Sequence, residues 1–285
     1  MNRLFPALDI RFVPEAEAPQ DLRDSLVAGL DDFQPTAIEE TATRWRVFFG
    51  SPDDRDRALR WLRGLGDPRV GVQAIDVEDE DWARRSQADL RPVRVGRIIV
   101  TPPWWLDEAR REAGVDDMLI VVVPSRGFGT GHHPSTRLCL GLLQDISVRG
   151  RSVLDIGTGS GVLALAAARM GASAVTAVDD DSDAIDAARE NVALNGIDVP
   201  FRLERADFRT LRDARADIVI ANLTGNLLRS AVADIVGCLN QPGDAIVSGV
   251  LEEERSMVVA AFESAGVRLQ AAKAEDQWLG LCFTP

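Results

Sequence analysis

The chain carries two hydrophobic rhythms. Over the first 77 residues, apolar and polar positions alternate in short runs. Leu8, Ile10 and Phe12 stand against Asp9 and Arg11, which predicts a strand over residues 4–13. Residues 19–33 place Leu22, Leu26, Val27 and Leu30 on one helical face. Two short strands follow at 36–41 and 43–49, joined by a tight connection. Pro52 opens a second helix carrying Ala58, Leu59 and Leu62, with proline at its first turn. Residues 70–77 return to a strand pattern. The order β-α-β-β-α-β is the split arrangement of a small ferredoxin-like α+β domain, expected over 1–77.

Residues 78–117 read as linker and connector. An acidic run at 78–81 fits a solvated linker or a helix start. Strands are predicted at 97–101 and 118–123, separated by Pro102-Pro103-Trp104-Trp105. Two readings of Trp104 and Trp105 stand: packing against the linker, or the lip of a substrate groove.

From residue 152 the second rhythm begins. Strand patterns at 152–156, 174–178, 201–204, 216–221 and 245–250 alternate with helical patterns at 162–170, 182–195, 225–239 and 252–265. Such alternation builds a mostly parallel sheet with helices on both faces. The last two strand runs, 268–272 and 277–283, are joined too briefly for a crossover and so form an antiparallel hairpin. The fold class expected is therefore α/β, a Rossmann-like domain over 118–285 preceded by the ferredoxin-like one.

The strand at 152–156 runs into Gly157-Thr158-Gly159-Ser160-Gly161, and a helix begins at once. Glycines at alternate positions let the chain turn sharply and let a ligand approach the backbone beside free helical N–H groups. The spacing is G-x-G-x-G, not the G-x-G-x-x-G that seats a pyrophosphate. Asp155, two residues before the first glycine, would repel a pyrophosphate but can accept from a cationic amino group. Asp179 ends the next strand, where an acid can accept both hydroxyls of a ribose. Asp207 follows the third strand, beside the place of an adenine. Together they describe S-adenosylmethionine. Other readings stay open: Asp155 capping loop backbone, Asp207 as an ordinary turn acid, and Asp181 or Ser182 as a helix cap.

Charge and composition narrow the partners. Against 45 acidic residues stand 32 basic ones, a net of −13. A sequence-independent grip on nucleic acid and a polybasic membrane contact both need a basic surface, so neither is expected. The only lysine is Lys273, which leaves Schiff-base and P-loop chemistry little to work with. Cys139, Cys238 and Cys282 are scattered in apolar stretches, the usage of a reducing compartment. No signal peptide or membrane span is read, and the expected location is the cytoplasm. The two histidines, His132 and His133, are adjacent, with no cluster of cysteines or acids beside them, so no metal site is expected.

These residues carry a resemblance. Asp155 to Gly161, Asp179 and the terminal hairpin resemble the Rossmann-like class I methyltransferases. Gly127-Phe128-Gly129-Thr130-Gly131-His132-His133-Pro134-Ser135-Thr136 is similar to the loop and helix of one group among them. That group is the ribosomal protein methyltransferases that modify the eleventh protein of the large subunit. Asp81-Trp82 and residues 92–96 match that family's linker, Ala221-Asn222-Leu223 its Asn-Ile-Leu position, and Gln277-Trp278 its C-terminal end. The resemblance implies a cofactor site for S-adenosylmethionine made by Asp155, Gly157, Thr158, Gly159, Gly161, Asp179, Asp207 and Asn222. It implies a loop of Phe128, Thr130 and Gly131 closing over the methionine part. It implies an N-terminal domain that holds a ribosomal protein substrate, and methyl transfer to lysine side chains and the chain N-terminus. Three features depart from the family pattern: His132 in place of threonine, Ser86 and Gln87 in the linker, and Leu-Thr-Gly-Asn after Asn222.

Methyl transfer from a sulfonium is an in-line displacement, so the protein must mainly align the reacting atoms. The amine must arrive neutral, although a lysine ordinarily titrates near 10.4. Asn222, through its side-chain oxygen, and the carbonyl of Leu223 are the candidate acceptors for it. Asn222 has a second reading, as the cap of the helix from Gly225. The absence of prolines after Asn222 argues against a planar nitrogen substrate. Alternatives of other classes are a methyltransferase of another protein such as an electron-transfer flavoprotein, a small-molecule methyltransferase, and a scaffold that binds the cofactor without catalysis.

Overall fold

The computed structural model describes the chain except residues 1–3, 13–21, 23–25, 27–28, 31–32, 34, 42, 79–89, 125–129 and 212–213. It forms two compact units, Met1–Asp89 and Leu90–Pro285.

In the first unit, β1 (Leu4–Phe12), β2 (Pro35–Glu40), β3 (Arg44–Phe49) and β4 (Val70–Glu78) form one antiparallel sheet in the order β2-β3-β1-β4. Alternation decides its faces. Leu8, Ile10 and Phe12 of β1 join Trp45, Val47 and Phe49 of β3 on the buried side. Ala58 and Leu62 of α1 (Pro52–Gly64) cover that side, with Leu26 and Leu30. Ser51 caps α1, accepting from Asp54 N. Asp9 is buried beside the guanidinium groups of Arg11 and Arg44. The strands and the helix after β3 follow the expected order, and most of the helix expected over 19–33 lies outside the described residues.

The second unit begins with β5 (Val93–Val95), β6 (Ile98–Thr101) and β7 (Met118–Val121), a three-stranded sheet. The parallel pair β6 and β7 is bridged by a 3-10 turn, Pro103–Trp105, and by α2 (Leu106–Glu112), a helix that the pattern of residues did not predict. Then come α3 (Pro134–Asp145), β8 (Ser152–Ile156), α4 (Val162–Arg169), β9 (Ala174–Asp179), α5 (Ser182–Asn195) and β10 (Phe201–Arg205). They are followed by β11 (Ala216–Asn222), α6 (Gly225–Ser230), α7 (Val232–Gly237), β12 (Leu239–Leu251), α8 (Arg255–Ser264), β13 (Arg268–Glu275) and β14 (Trp278–Thr284).

The seven-stranded sheet has the order β10-β9-β8-β11-β12-β14-β13, parallel as far as β12. The terminal hairpin is antiparallel, as expected, and β14 inserts between β12 and β13. Side-chain pattern explains the insertion. β14 is buried along five consecutive residues, as an interior strand must be, whereas β13 alternates between exposed and half-buried positions, as an edge strand does. Two apolar clusters fill the two faces, α3 and α4 over one, α6, α7 and α8 over the other.

Where one helix was expected over 225–239, the structure has two, broken at Ala231. Leu228, Ala231 and Ile235 are all buried, so the break keeps both pieces packed on the sheet. Two buried asparagines of α5 brace the neighbouring chain. Asn195 accepts from Val121 N at 2.9 Å and donates to Val121 O at 2.6 Å, while Asn191 accepts from Val123 N at 2.8 Å and donates to Ser160 O at 2.8 Å. One helix face thereby fixes both the end of β7 and the glycine loop.

Candidate functional site

The C-terminal ends of β8, β9, β10 and β11 open into a cleft lined by Gly157, Gly159, Asp179, Ala206, Asp207, Phe208, Leu223 and Leu227, among others. Its volume of about 390 Å³ falls in the range of small-molecule sites. This is the edge of a parallel sheet where ligands bind, because the loops there leave helix N-termini facing a crevice.

The glycine loop is shaped by close approach. Gly157, Gly159 and Gly161 all have left-handed φ, of 67°, 54° and 81°. A side chain on Gly157 would come 2.6 Å from Leu223 Cδ2, and one on Gly161 3.2 Å from Ala188 Cβ. Thr158 is buried and donates its hydroxyl to Asp155 Oδ2 at 2.6 Å, and Ala164 N adds a second bond there at 3.2 Å. Asp155 is itself 1% exposed, and its Oδ1 has no hydrogen-bond partner among the described residues. Burial pushes its carboxyl up to about 6. The two readings of Asp155 thus fall on different atoms: Oδ2 caps the loop, and Oδ1 is left without a donor.

Asp179 ends β9 at the cleft. Its Oδ2 accepts from Gly159 N at 2.9 Å and its Oδ1 from Asp181 N at 3.1 Å. Each oxygen keeps a further lone pair for a hydroxyl. Asp181, not Ser182, caps α5 by accepting from Asp183 N. Asp207 also lines the cleft, but it is occupied as a turn acid. It caps the 3-10 turn Phe208–Thr210 and grips the Arg209 guanidinium at 2.7 Å, which holds its carboxyl below the usual range. Phe208 and Leu227, apolar cleft walls, were not read from the sequence. A phenylalanine directly after Asp207 was the available signal.

Asn222 is the last residue of β11. Its Nδ2 donates to Thr136 Oγ1 at 3.4 Å. The cap of α6 is Thr224, whose hydroxyl accepts from Leu227 N, so the capping reading of Asn222 does not apply. Leu223 N donates to Ser248 O at 3.0 Å. Gly249, with φ of 84°, lets β12 pass close by, since a side chain there would lie 2.2 Å from Leu223 O.

The second loop reaches the same edge. Phe128 lies outside the described residues, as do the linker positions Asp81, Trp82, Ser86 and Gln87. Gly131 has φ of 85° and packs on Val100. The Thr130 hydroxyl lies 3.3 Å from His132 Nδ1, and His132 Nε2 lies 3.0 Å from Arg91 O. His133 caps α3, accepts from Ser135 N and sets its ring edge against Trp278 with centroids 4.7 Å apart. Arg137 donates to His132 O and pairs with Glu275 at 2.8 Å. The terminal hairpin therefore braces the loop. Trp105 stacks on the Arg91 guanidinium at 5.3 Å, while Trp104 is 50% exposed.

The three cysteines are free and buried, and burial pushes the Cys282 thiol up to about 12. Lys273 pairs with Asp145 at 2.8 Å, away from the cleft. Among the described residues no cluster of His, Cys, Asp and Glu could hold a metal ion, and no helix is long and apolar enough to cross a membrane.

The family model described as ribosomal protein L11 methyltransferase (PrmA) matches residues 34–284. A ribosomal protein L11 methyltransferase of Symbiobacterium thermophilum is 32% identical, over 89% of this chain and 90% of its own. One of Geobacter sulfurreducens is 37% identical, over 89% and 86%. The crystal structure of a ribosomal protein L11 methylase from Lactobacillus delbrueckii subsp. bulgaricus superposes with a TM-score of 0.62 at 27% identity, covering 68% of this chain and 97% of that one.

Proposed function

The chain belongs to the ribosomal protein L11 methyltransferase family, and on that premise we propose that it transfers methyl groups from S-adenosylmethionine to amino groups of ribosomal protein L11. Lysine side chains and the chain N-terminus are the acceptors. The observation that carries this reading is the cleft lined by the glycine loop, Asp179 and Leu223, the residue that follows Asn222 at the end of β11.

The residues present fit the cofactor. Asp155 Oδ1 is a buried acceptor without a donor, which suits a ligand that brings an ammonium group. The backbone of Gly157 and Gly159 lines the cleft directly. When bound, S-adenosylmethionine supplies a methyl group on a positively charged sulfur that leaves readily. Asp179 would accept the ribose hydroxyls, and Phe208 and Leu227 would offer the adenine apolar walls. Thr130 and Gly131, with Phe128 of the same motif, would cover the methionine part. Asp207, held by Arg209, orders the turn that carries Phe208.

Asn222 Oδ1 and the Leu223 carbonyl accept N–H bonds from the incoming amine, which directs its lone pair toward the cleft. No side chain at the cleft must remove a proton during transfer. The amine loses its proton to solvent before the reaction, and the acidic surface favours the approach of a cationic protein segment. The N-terminal unit holds the protein substrate.

The deciding experiment incubates the purified chain with methyl-labelled cofactor and unmethylated large subunits or free L11. Label is expected in L11, and Asn222→Ala should reduce its rate of appearance while cofactor binding measured by calorimetry persists. Absence of cofactor binding, or label confined to another protein or a small molecule, would overturn the reading.

A further inference from the structure

His132 stands where the family pattern has threonine, and its half-buried ring sits between two carbonyls. Nδ1 lies 3.1 Å from Thr130 O and 3.3 Å from Thr130 Oγ1, while Nε2 lies 3.0 Å from Arg91 O. A carbonyl only accepts, and a neutral imidazole carries a single N–H. With that proton on Nε2, the lone pair of Nδ1 points at Thr130 O. With it on Nδ1, the lone pair of Nε2 points at Arg91 O. Only the imidazolium donates to both carbonyls at once.

The backbone around the ring is fixed from other sides. Gly131, with φ of 85°, packs on β6, where a side chain would come 3.1 Å from Val100 Cβ. Arg137 of α3 donates to His132 O and pairs with Glu275 of β13. The Arg91 guanidinium stacks on the Trp105 ring at 5.3 Å, and His133 is engaged in capping α3 against Trp278. These are the charged and titratable groups packed around His132. The guanidiniums of Arg91 and Arg137 oppose a charge on its ring, whereas Glu275 and the two carbonyls favour one. We propose that His132 is a positioning residue for the cofactor: as the imidazolium it bridges Thr130 O and Arg91 O and holds Thr130 in place, and it gives up one of those bonds when it loses its proton. The proposal rests on the reading of Thr130 given under Proposed function. A threonine at this position could donate to one carbonyl at most and would not respond to pH, so the departure from the family pattern acquires a task.

The test compares the full chain with His132→Gln and with His132→Thr, neither of which titrates at this position. The Kd for S-adenosylmethionine is measured by calorimetry at about pH 6 and about pH 8, on either side of the range in which imidazoles titrate. The wild type should bind about five- to tenfold more tightly than His132→Gln at the lower pH, and less than about twofold more tightly at the higher. His132→Thr should follow His132→Gln. Asp155 is intact in all three proteins and cancels from the ratio. The ring itself is followed by its nitrogen-15 shifts and N–H protons in the wild type, with and without the cofactor. The chain has only two histidines, and His132→Gln removes one set of signals. Both ring N–H protons should be visible in the protonated form, because both are hydrogen-bonded. By reciprocity the protonated fraction at about pH 7 should rise when the cofactor saturates the site. An affinity ratio that is the same at both pH values overturns the proposal. So do ring protons that exchange too fast to be seen at the lower pH, or a protonated fraction that the cofactor leaves unchanged. A wild type that does not bind the cofactor overturns the reading of Thr130, and the proposal with it, while the ring protons still report whether the bridge exists.

Discussion

Beneath the glycine loop Asp155 is sealed from solvent with one oxygen lacking a donor, whereas on the cleft rim Asp179 and Asp207 are part-exposed with both oxygens engaged. The same side chain therefore has opposite energetics in two places a few residues apart in the fold. On the rim, backbone N–H groups or Arg209 stabilise the charge before any ligand arrives. Below the loop, burial opposes the charge and raises the carboxyl to about 6. A rim acid is a preorganised acceptor. The buried one becomes stable as an anion when a cation is supplied, so on the proposed reading its charge and cofactor binding would be linked.

The sharpest way to break this contrast is to remove the rim acceptor that has spare lone pairs. Asp179→Ala deletes two charge-assisted acceptors for hydroxyls and leaves Gly159 N without its partner. Cofactor affinity measured by calorimetry should fall about 100-fold or more. A loss below about fivefold would show that Asp179 serves the loop alone.

Asp155→Asn should have the next largest effect, and its signature is in pH. Because the folded carboxyl sits at about 6, above its ordinary 3.8, the native state binds more protons than the unfolded one between those values. Stability of the ligand-free protein should therefore fall as pH rises from about 4 to about 6, by something on the order of 3 kcal/mol, and stay lower above that. Cofactor affinity should rise over the same window, as the anion becomes available to the ammonium. Asp155→Asn should flatten both slopes and weaken binding about tenfold at pH 7.5. A melting-temperature profile that keeps its slope in the variant would refute the link.

His132→Ala tests the loop side of the rim. It removes the contacts to Thr130 and to the Arg91 carbonyl. The half-buried site predicts a loss of about threefold in cofactor affinity with little change in melting temperature. An unchanged affinity would separate Thr130 from the cofactor.

How much of this was legible before the structure depended on the range of the contacts involved. The glycine loop, Asp179 and the hairpin could be read because each is written in a few consecutive residues. The buried face of the N-terminal sheet could be read because Leu8, Ile10 and Phe12 alternate with Asp9 and Arg11 along β1. The asparagine braces could not, because Asn195 and Val121 are 74 positions apart and asparagine in a helix looks like a solvated residue. The break at Ala231 has neither glycine nor proline to mark it. The insertion of β14 was encoded in its unbroken apolar run, against the alternation of β13, but only if the two are compared as interior and edge strands. The contrast between Asp155 and Asp207 was not legible at all. Both are acids at strand ends in the sequence, and only burial and the position of Arg209 distinguish them.

The smallest effect belongs to Asp207, and it tests the rim reading most directly. Both of its oxygens are taken by Arg209, whose backbone N–H and guanidinium donate at 3.0, 2.9, 3.1 and 2.7 Å. A carboxylate so engaged has little left to offer an adenine amino group, and an exposed pair of this kind contributes little to folding. Asp207→Asn keeps an acceptor for Arg209 N and loses the fork to the guanidinium. Cofactor affinity should fall no more than about threefold, with melting temperature within about 2 °C of the wild type. The larger change should come from Phe208→Ala, which removes a wall of the cleft while leaving the carboxylate in place. If Asp207→Asn instead costs as much affinity as Asp179→Ala, then Arg209 must release the carboxylate when the cofactor binds. The rim would then resemble the buried site, with its acid freed by the ligand.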